Sequence, residues 1–72
     1  MHSNGTINRK IERFLIRYDM PATKFGRLVA RDPRLVLDMR NGRELRGPMI
    51  QRAETFMAAY ADIIAHDLAQ AA

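Results

Sequence analysis

The stretch ATKFGRLVARDPRLVLDMRNG, residues 22–42, holds two short amphipathic segments separated by Arg31-Asp32-Pro33. Read at the helical period, the first segment, Ala22 to Ala30, turns Ala22, Phe25, Gly26, Leu28 and Val29 inward and Thr23, Lys24 and Arg27 outward. Asp32 is a favoured N-cap acid, and Pro33 suits a first helical position because its missing N–H would have no intrahelical partner there. A helix is therefore expected over 33–40, with Leu35, Val36 and Met39 on one side and Arg34, Leu37, Asp38 and Asn41 on the other. Asn41-Gly42 ends it, since glycine adopts the left-handed C-cap conformation without a Cβ penalty.

The same punctuation continues on either side. Upstream, Thr6 is the expected N-cap of a helix reaching about Asp19, on which Ile7, Ile11, Phe14, Leu15 and Tyr18 form one apolar stripe. Met20-Pro21 breaks that helix, because a residue before proline is driven out of the α region. Downstream, a loop from Arg43 to Gly47 leads to Pro48, which opens a last helix of about 22 residues, roughly 33 Å. Its apolar arc runs through Met49, Ile50, Ala53, Phe56, Met57, Tyr60, Ile63, Ile64 and Leu68. No alternating apolar pattern is long enough for a strand, and no repeat or linker interrupts the chain. The expectation is a single all-α domain over 1–72, four helices with a long C-terminal one.

Composition narrows the chemistry. Seventy-two residues support one small core, which typically supplies only about 3 to 5 kcal/mol without a disulfide, a metal or a partner subunit. There is no cysteine, and His2 and His66 stand at opposite ends of the chain, so no metal site, cofactor or nucleophilic catalytic set is expected. No apolar run approaches the roughly 20 residues that span a bilayer, and the first five residues lack a signal pattern, so a cytoplasmic protein is expected. Residues 1–53 carry all twelve Lys and Arg against five acids, a balance of +7; residues 54–72 carry Glu54, Asp62 and Asp67 alone, a balance of −3. Ten of the twelve cations are arginine, whose planar fork matches phosphate and guanine edges bidentately. Arg9, Arg13 and Arg17 add a ladder at i, i+4 along the first helix, either facing a phosphate backbone or standing in solvent partly neutralised by Glu12.

Two short helices joined by a tight turn have the proportions of a helix-turn-helix. Phe25-Gly26-Arg27, Asp32-Pro33-Arg34-Leu35-Val36 and Asp38-Met39-Arg40-Asn41-Gly42-Arg43-Glu44 together resemble the lambda-repressor and Cro-like helix-turn-helix regulators, in particular the small single-domain type of alphaproteobacteria and their phages, over roughly residues 8–58. Ala30 and Arg31 depart from that pattern, standing where the family has a turn glycine and an apolar residue. The resemblance implies internal packing by Phe25, Val29, Val36 and Met39, a close helix approach at Gly26, and contacts to bases and phosphates from Thr23, Arg27, Asp32, Arg34, Leu37, Asp38 and Asn41.

With the charge pattern added, the expected function is sequence-specific binding of double-stranded DNA by a non-enzymatic, nucleoid-associated transcriptional regulator. Segment 33–40 would enter the major groove and Arg34 would read a base edge. Thr23, Lys24, Arg27, Arg31, Arg43 and Arg46 would engage phosphates. The last helix outlasts anything one subunit can cover, so residues 58–72 are expected to join a homodimer through Tyr60, Ile63, Ile64 and Leu68. The same helix folding back on the first is the alternative. Two other functions fit the sequence: an adaptor that binds a protein partner through its C-terminal helix, and an architectural DNA binder without sequence preference.

Overall fold

Four helices follow one another in the computed structural model, which describes residues 3–71 and the side chains of residues 5–68. They are α1 (Ser3–Arg17), α2 (Ala22–Ala30), α3 (Leu35–Arg40) and α4 (Gly47–Ala71), with no strand among the described residues. The all-α, four-helix expectation holds, and the helix ends differ from those read off the sequence for identifiable reasons.

Thr6 lies inside α1, which starts at Ser3. At the other end Asp19 takes the left-handed conformation (φ 51°), its N–H bonds the Ile16 carbonyl at 3.3 Å, and the Met20 N–H bonds the Leu15 carbonyl at 2.9 Å. This is a Schellman closure, which swings the following residue back over the helix. Met20 is accordingly buried, although the sequence marks it only as the residue before a proline. The expected helix over 33–40 is corrected to Leu35–Arg40. Asp32 accepts the Arg34 N–H on Oδ1 at 3.0 Å and the Leu35 N–H on its carbonyl at 3.1 Å, so Pro33 and Arg34 form a turn ahead of α3. Leu28 is likewise corrected from inward to 52 % exposed. It stands one residue step, about 100°, from Val29, outside the narrow stripe that a nine-residue helix buries.

The core collects Ile7, Ile11, Phe14 and Leu15 of α1, Phe25 and Val29 of α2, Leu35, Val36 and Met39 of α3, and Ala53 of α4. Leu45, from the segment between α3 and α4, joins them. Phe14 is the hub of an aromatic cluster, with ring centroids 4.8 Å from Tyr18, 5.7 Å from Phe25, 5.9 Å from Phe56 and 5.4 Å from Tyr60. Going along α1, Lys10 meets Glu54 at 3.0 Å, Phe14 meets Phe56 and Tyr60, and Tyr18 meets Tyr60 at 5.2 Å. α1 and α4 therefore run side by side in the same direction, and α4, with 25 residues against 15, continues past the end of α1. Among the described residues no helix is long and apolar enough to cross a membrane.

The tightest point of the fold is between α2 and α3. A Cβ at Gly26 would overlap the Asp32 carbonyl oxygen and come within 3.2 Å of Leu35 Cβ, while the Gly26 carbonyl accepts the Asp32 N–H at 3.1 Å. Because the obstructing atom is backbone, no side-chain rotation relieves it. Gly26→Ala is therefore expected to destabilise the fold by more than about 2 kcal/mol in urea denaturation. Gly5→Ala, with nothing near the added methyl, should leave stability unchanged or raise it slightly. Equal midpoints for the two variants would refute the close approach.

Candidate nucleic-acid interface

The face in question begins with backbone geometry. α2 ends in a left-handed residue, Arg31 (φ 54°, ψ 32°), whose N–H bonds the Arg27 carbonyl at 3.0 Å. Ala30 remains helical, so the reversal sits at Arg31. A side chain in this conformation costs about 1 kcal/mol or more. Arg31 therefore occupies a place that glycine would fill more easily, and its side chain stands exposed beside the turn.

α3 buries Leu35, Val36 and Met39, as its pattern indicates, and leaves Arg34, Leu37 and Asn41 exposed with Asp38 half-buried. It closes on Asn41 and Gly42 (φ 105°), with the Gly42 N–H bonding the Met39 carbonyl at 3.1 Å and the Arg43 N–H bonding the Asp38 carbonyl at 2.9 Å. This second Schellman closure carries Arg43 back over the helix. Arg43 Nη1 lies 3.0 Å from Asp32 Oδ2 and 3.6 Å from Asp38 Oδ2, and Arg34 Nε lies 3.7 Å from Asp38 Oδ1. The structure thus brings Asp32, Arg34, Asp38 and Arg43 into one ionic chain across the face of α3. The sequence reading takes Arg43 as a phosphate contact and does not anticipate its pairing with Asp32 and Asp38, because the pairs depend on where the α3 closure puts the chain. The Asp32 carboxyl is held below its ordinary range, first by the Arg43 hydrogen bond and then by the Arg34 N–H.

Thr23, Lys24 and Arg27 are exposed on α2, and Arg46 is exposed just before α4. Lys24, Arg27, Arg31 and Arg46 form no ion pair with the described residues. Glu12 does not neutralise the arginines of its own helix. It binds Arg40 of α3 bidentately, Oε2 to Nε at 2.7 Å and Oε1 to Nη2 at 2.9 Å. Arg9, Arg13 and Arg17 stay exposed, with the Arg17 guanidinium 5.7 Å from the Tyr18 ring centroid.

Comparison with family models, with curated proteins and with solved structures gives no match for the chain.

The residues expected at a dimer contact divide. Tyr60 is half-buried and packs within the chain against Phe14, Tyr18 and Phe56. Ile64 is half-buried in a shallow groove with Arg17, Tyr18, Ala61 and Leu68, where α4 lies against the end of α1. Ile63 and Leu68 are 59 % and 67 % exposed. The side chains of residues 69–72, the end of the expected 58–72 extension, lie outside the described ones. Among the described residues no group of three or more His, Asp or Glu side chains is placed to hold a metal ion.

The clasp between Glu12 and Arg40 fixes the end of α3 to α1, and it titrates. The Arg40 hydrogen bonds hold the Glu12 carboxyl below its ordinary 4.5 and raise the guanidinium in turn. A carboxyl with a depressed folded pKa adds stability above its unfolded value and loses it as the pH falls through the folded one. Both side chains are nearly half exposed, so the contribution is expected to stay under about 1 kcal/mol at neutral pH. The stability difference between wild type and Glu12→Gln should be largest at neutral pH and shrink as the pH falls below the ordinary carboxylate range. A difference that does not change with pH would refute the charged clasp.

Proposed function

We propose that this chain is a sequence-specific double-stranded DNA-binding regulator without catalytic activity, in which α2, the turn at Arg31 and α3 form a helix-turn-helix of the lambda-repressor-like kind. The observation that supports it best is the division of α3. Leu35, Val36 and Met39 are buried against the fold and Arg34, Leu37 and Asn41 are left open, in a helix about 9 Å long that follows directly on the exposed cations of α2 and the turn. A B-DNA major groove about 12 Å wide admits a helix presented in this way. Arg34, at the entrance of α3, is the residue to meet a base edge, with Leu37 and Asn41 following along the groove. Thr23, Lys24, Arg27, Arg31 and Arg46 are the phosphate contacts, since they lie on α2, at the turn before α3 and just ahead of α4 with their side chains exposed.

If each protomer neutralises about three to five phosphates, log affinity should fall against log salt with a slope of roughly −5 to −9 for a dimer. Arg31→Gly gives the sharper test, because the two consequences have opposite signs. Relief of the left-handed strain should stabilise the fold by about 1 kcal/mol, while loss of a phosphate contact should weaken binding to every duplex alike and reduce the slope by about 1 per protomer. A slope near zero on every duplex would leave the adaptor reading in its place. Equal affinity for all sequences would leave the architectural one.

The homodimer belongs to the same proposal. Beyond Arg52 α4 carries acids and no cation, so its distal half is unsuited to phosphate, and it extends past α1 with Ile63 and Leu68 exposed. Pairing of these segments about a two-fold axis would cover both side chains and present two α3 helices to successive half-sites. Leu68→Asp is expected to convert a dimer at tens of micromolar into a monomer in sedimentation equilibrium, with much weaker operator binding. A wild-type protein that stays monomeric at that concentration and still binds duplex tightly would reject the dimer.

A further inference from the structure

A surface meant to lie on a polyanion carries two carboxylates at its centre. Asp32 and Asp38 would each repel phosphate, and replacing either would be an easy way to strengthen binding. Both are nonetheless built into the backbone of the turn and of α3. Asp32 Oδ1 accepts the Arg34 N–H at 3.0 Å while Oδ2 meets Arg43 Nη1 at 3.0 Å. The Asp38 N–H donates to the Arg34 carbonyl at 2.7 Å, and the Asp38 carbonyl accepts the Arg43 N–H at 2.9 Å. The same backbone hydrogen bonds that close α3 therefore set the ionic chain of Asp32, Arg43, Asp38 and Arg34, whose formal charges cancel.

The two acids act differently on two kinds of acceptor. A phosphate approaching Arg34 or Arg43 must come close to Asp38 or Asp32 and displace a carboxylate already in place. A guanine edge presents O6 and N7, which are neutral acceptors, and meets no such repulsion. Asp38 approaches Arg34 at Nε, so the two terminal nitrogens of the guanidinium remain for a bidentate acceptor.

Resting on the duplex-binding reading, we propose that Asp32 and Asp38 are specificity-determining residues. By pairing with Arg34 and Arg43 they withhold both guanidiniums from phosphate on non-cognate duplex, and they brace Arg34 for a guanine edge. Discrimination comes from weakened non-specific binding as well as from a good contact at the right base.

The experiment uses the full chain and two duplexes: the best site selected by the wild-type protein from a random library, and a scrambled version of it. Asp38→Asn should raise affinity for the scrambled duplex about tenfold and steepen its salt slope by about 1 per protomer. Affinity for the selected site should change less than threefold, so the ratio between the two falls. Asp32→Asn keeps an acceptor for the Arg34 N–H and should act in the same direction, which guards against a local effect of the Asp38 exchange on α3. Glu44→Gln removes the same charge from an exposed residue of the neighbouring segment that forms no ion pair with the described residues. It should shift both duplexes equally. Equal shifts from Asp38→Asn and Asp32→Asn as well would overturn the proposal and leave only net charge. Absence of binding to either duplex by every protein in the set would overturn it through the duplex-binding reading itself.

Discussion

The Asp32 carbonyl oxygen stands where a side chain at residue 26 would be, and much of the molecule follows from that contact. For the two backbones to meet, α2 must stop within one turn of Gly26, and the chain must reverse at Arg31. Asp32 is then fixed from three directions: its N–H on the Gly26 carbonyl, its carbonyl under the Leu35 N–H, and its carboxylate on the Arg34 N–H. α3 cannot begin before these bonds are satisfied. The entry point of α3, and with it the place of Arg34, is therefore a consequence of a missing Cβ at Gly26, eight residues before Arg34.

The other half of the structure holds this elbow from behind. Phe14 touches aromatic rings from α2 and α4, so the first helix, the elbow and the last helix share one packing centre. Edge-to-face geometry predominates in that cluster, which suits ring quadrupoles and fixes orientation more closely than aliphatic packing alone. The Glu12–Arg40 pair adds a polar clasp at the far end of α3. A helix of six residues, too short to persist in isolation, is thus held at its start by Asp32, along its buried side by the core, and at its end by Arg40 and Gly42.

Much of this was legible in the sequence because it is periodic or punctuated. The apolar stripes of α1 and α4, the breaks at Met20-Pro21 and Asn41-Gly42, and the small residue at Gly26 all announce themselves within a few positions. What was not legible depends on atoms brought together by the fold. Met20 and Leu45 are core residues outside any helix, so no helical period marks them; Met20 is turned inward by the closure of α1. The start of α3 slipped by two residues because an aspartate ahead of a proline can cap a helix directly or form a turn first, and both look alike in sequence. Tyr60 lies on the apolar arc that runs towards Leu68, and only the length of α1 decides which part of that arc is covered. The ionic chain across α3 joins positions up to eleven apart through a left-handed glycine, and Glu12 finds Arg40 at a separation of 28. Of the candidate site, the exposed cations of α2 and the open side of α3 were readable, and the partners of Arg34 and Arg43 were not.

The parallel course of α1 and α4 bears on how the molecule comes apart as well as how it is built. Helices that run in the same direction cannot be joined by a short hairpin, so α2 and α3 also serve as the crossover that returns the chain to the starting end. Contacts within the crossover, such as Gly26 with Asp32, close short loops, whereas Lys10 reaches Glu54 across 44 positions. Loop-closure entropy grows with that separation, so the outer pairing demands more chain ordering than the elbow inside it. The aromatic rings that Phe14 gathers from α4 lie across that same seam and offset the cost. The surface proposed to read DNA is thus closed by contacts between near neighbours in sequence, whereas the helix proposed to join two subunits is anchored by contacts that span most of the chain.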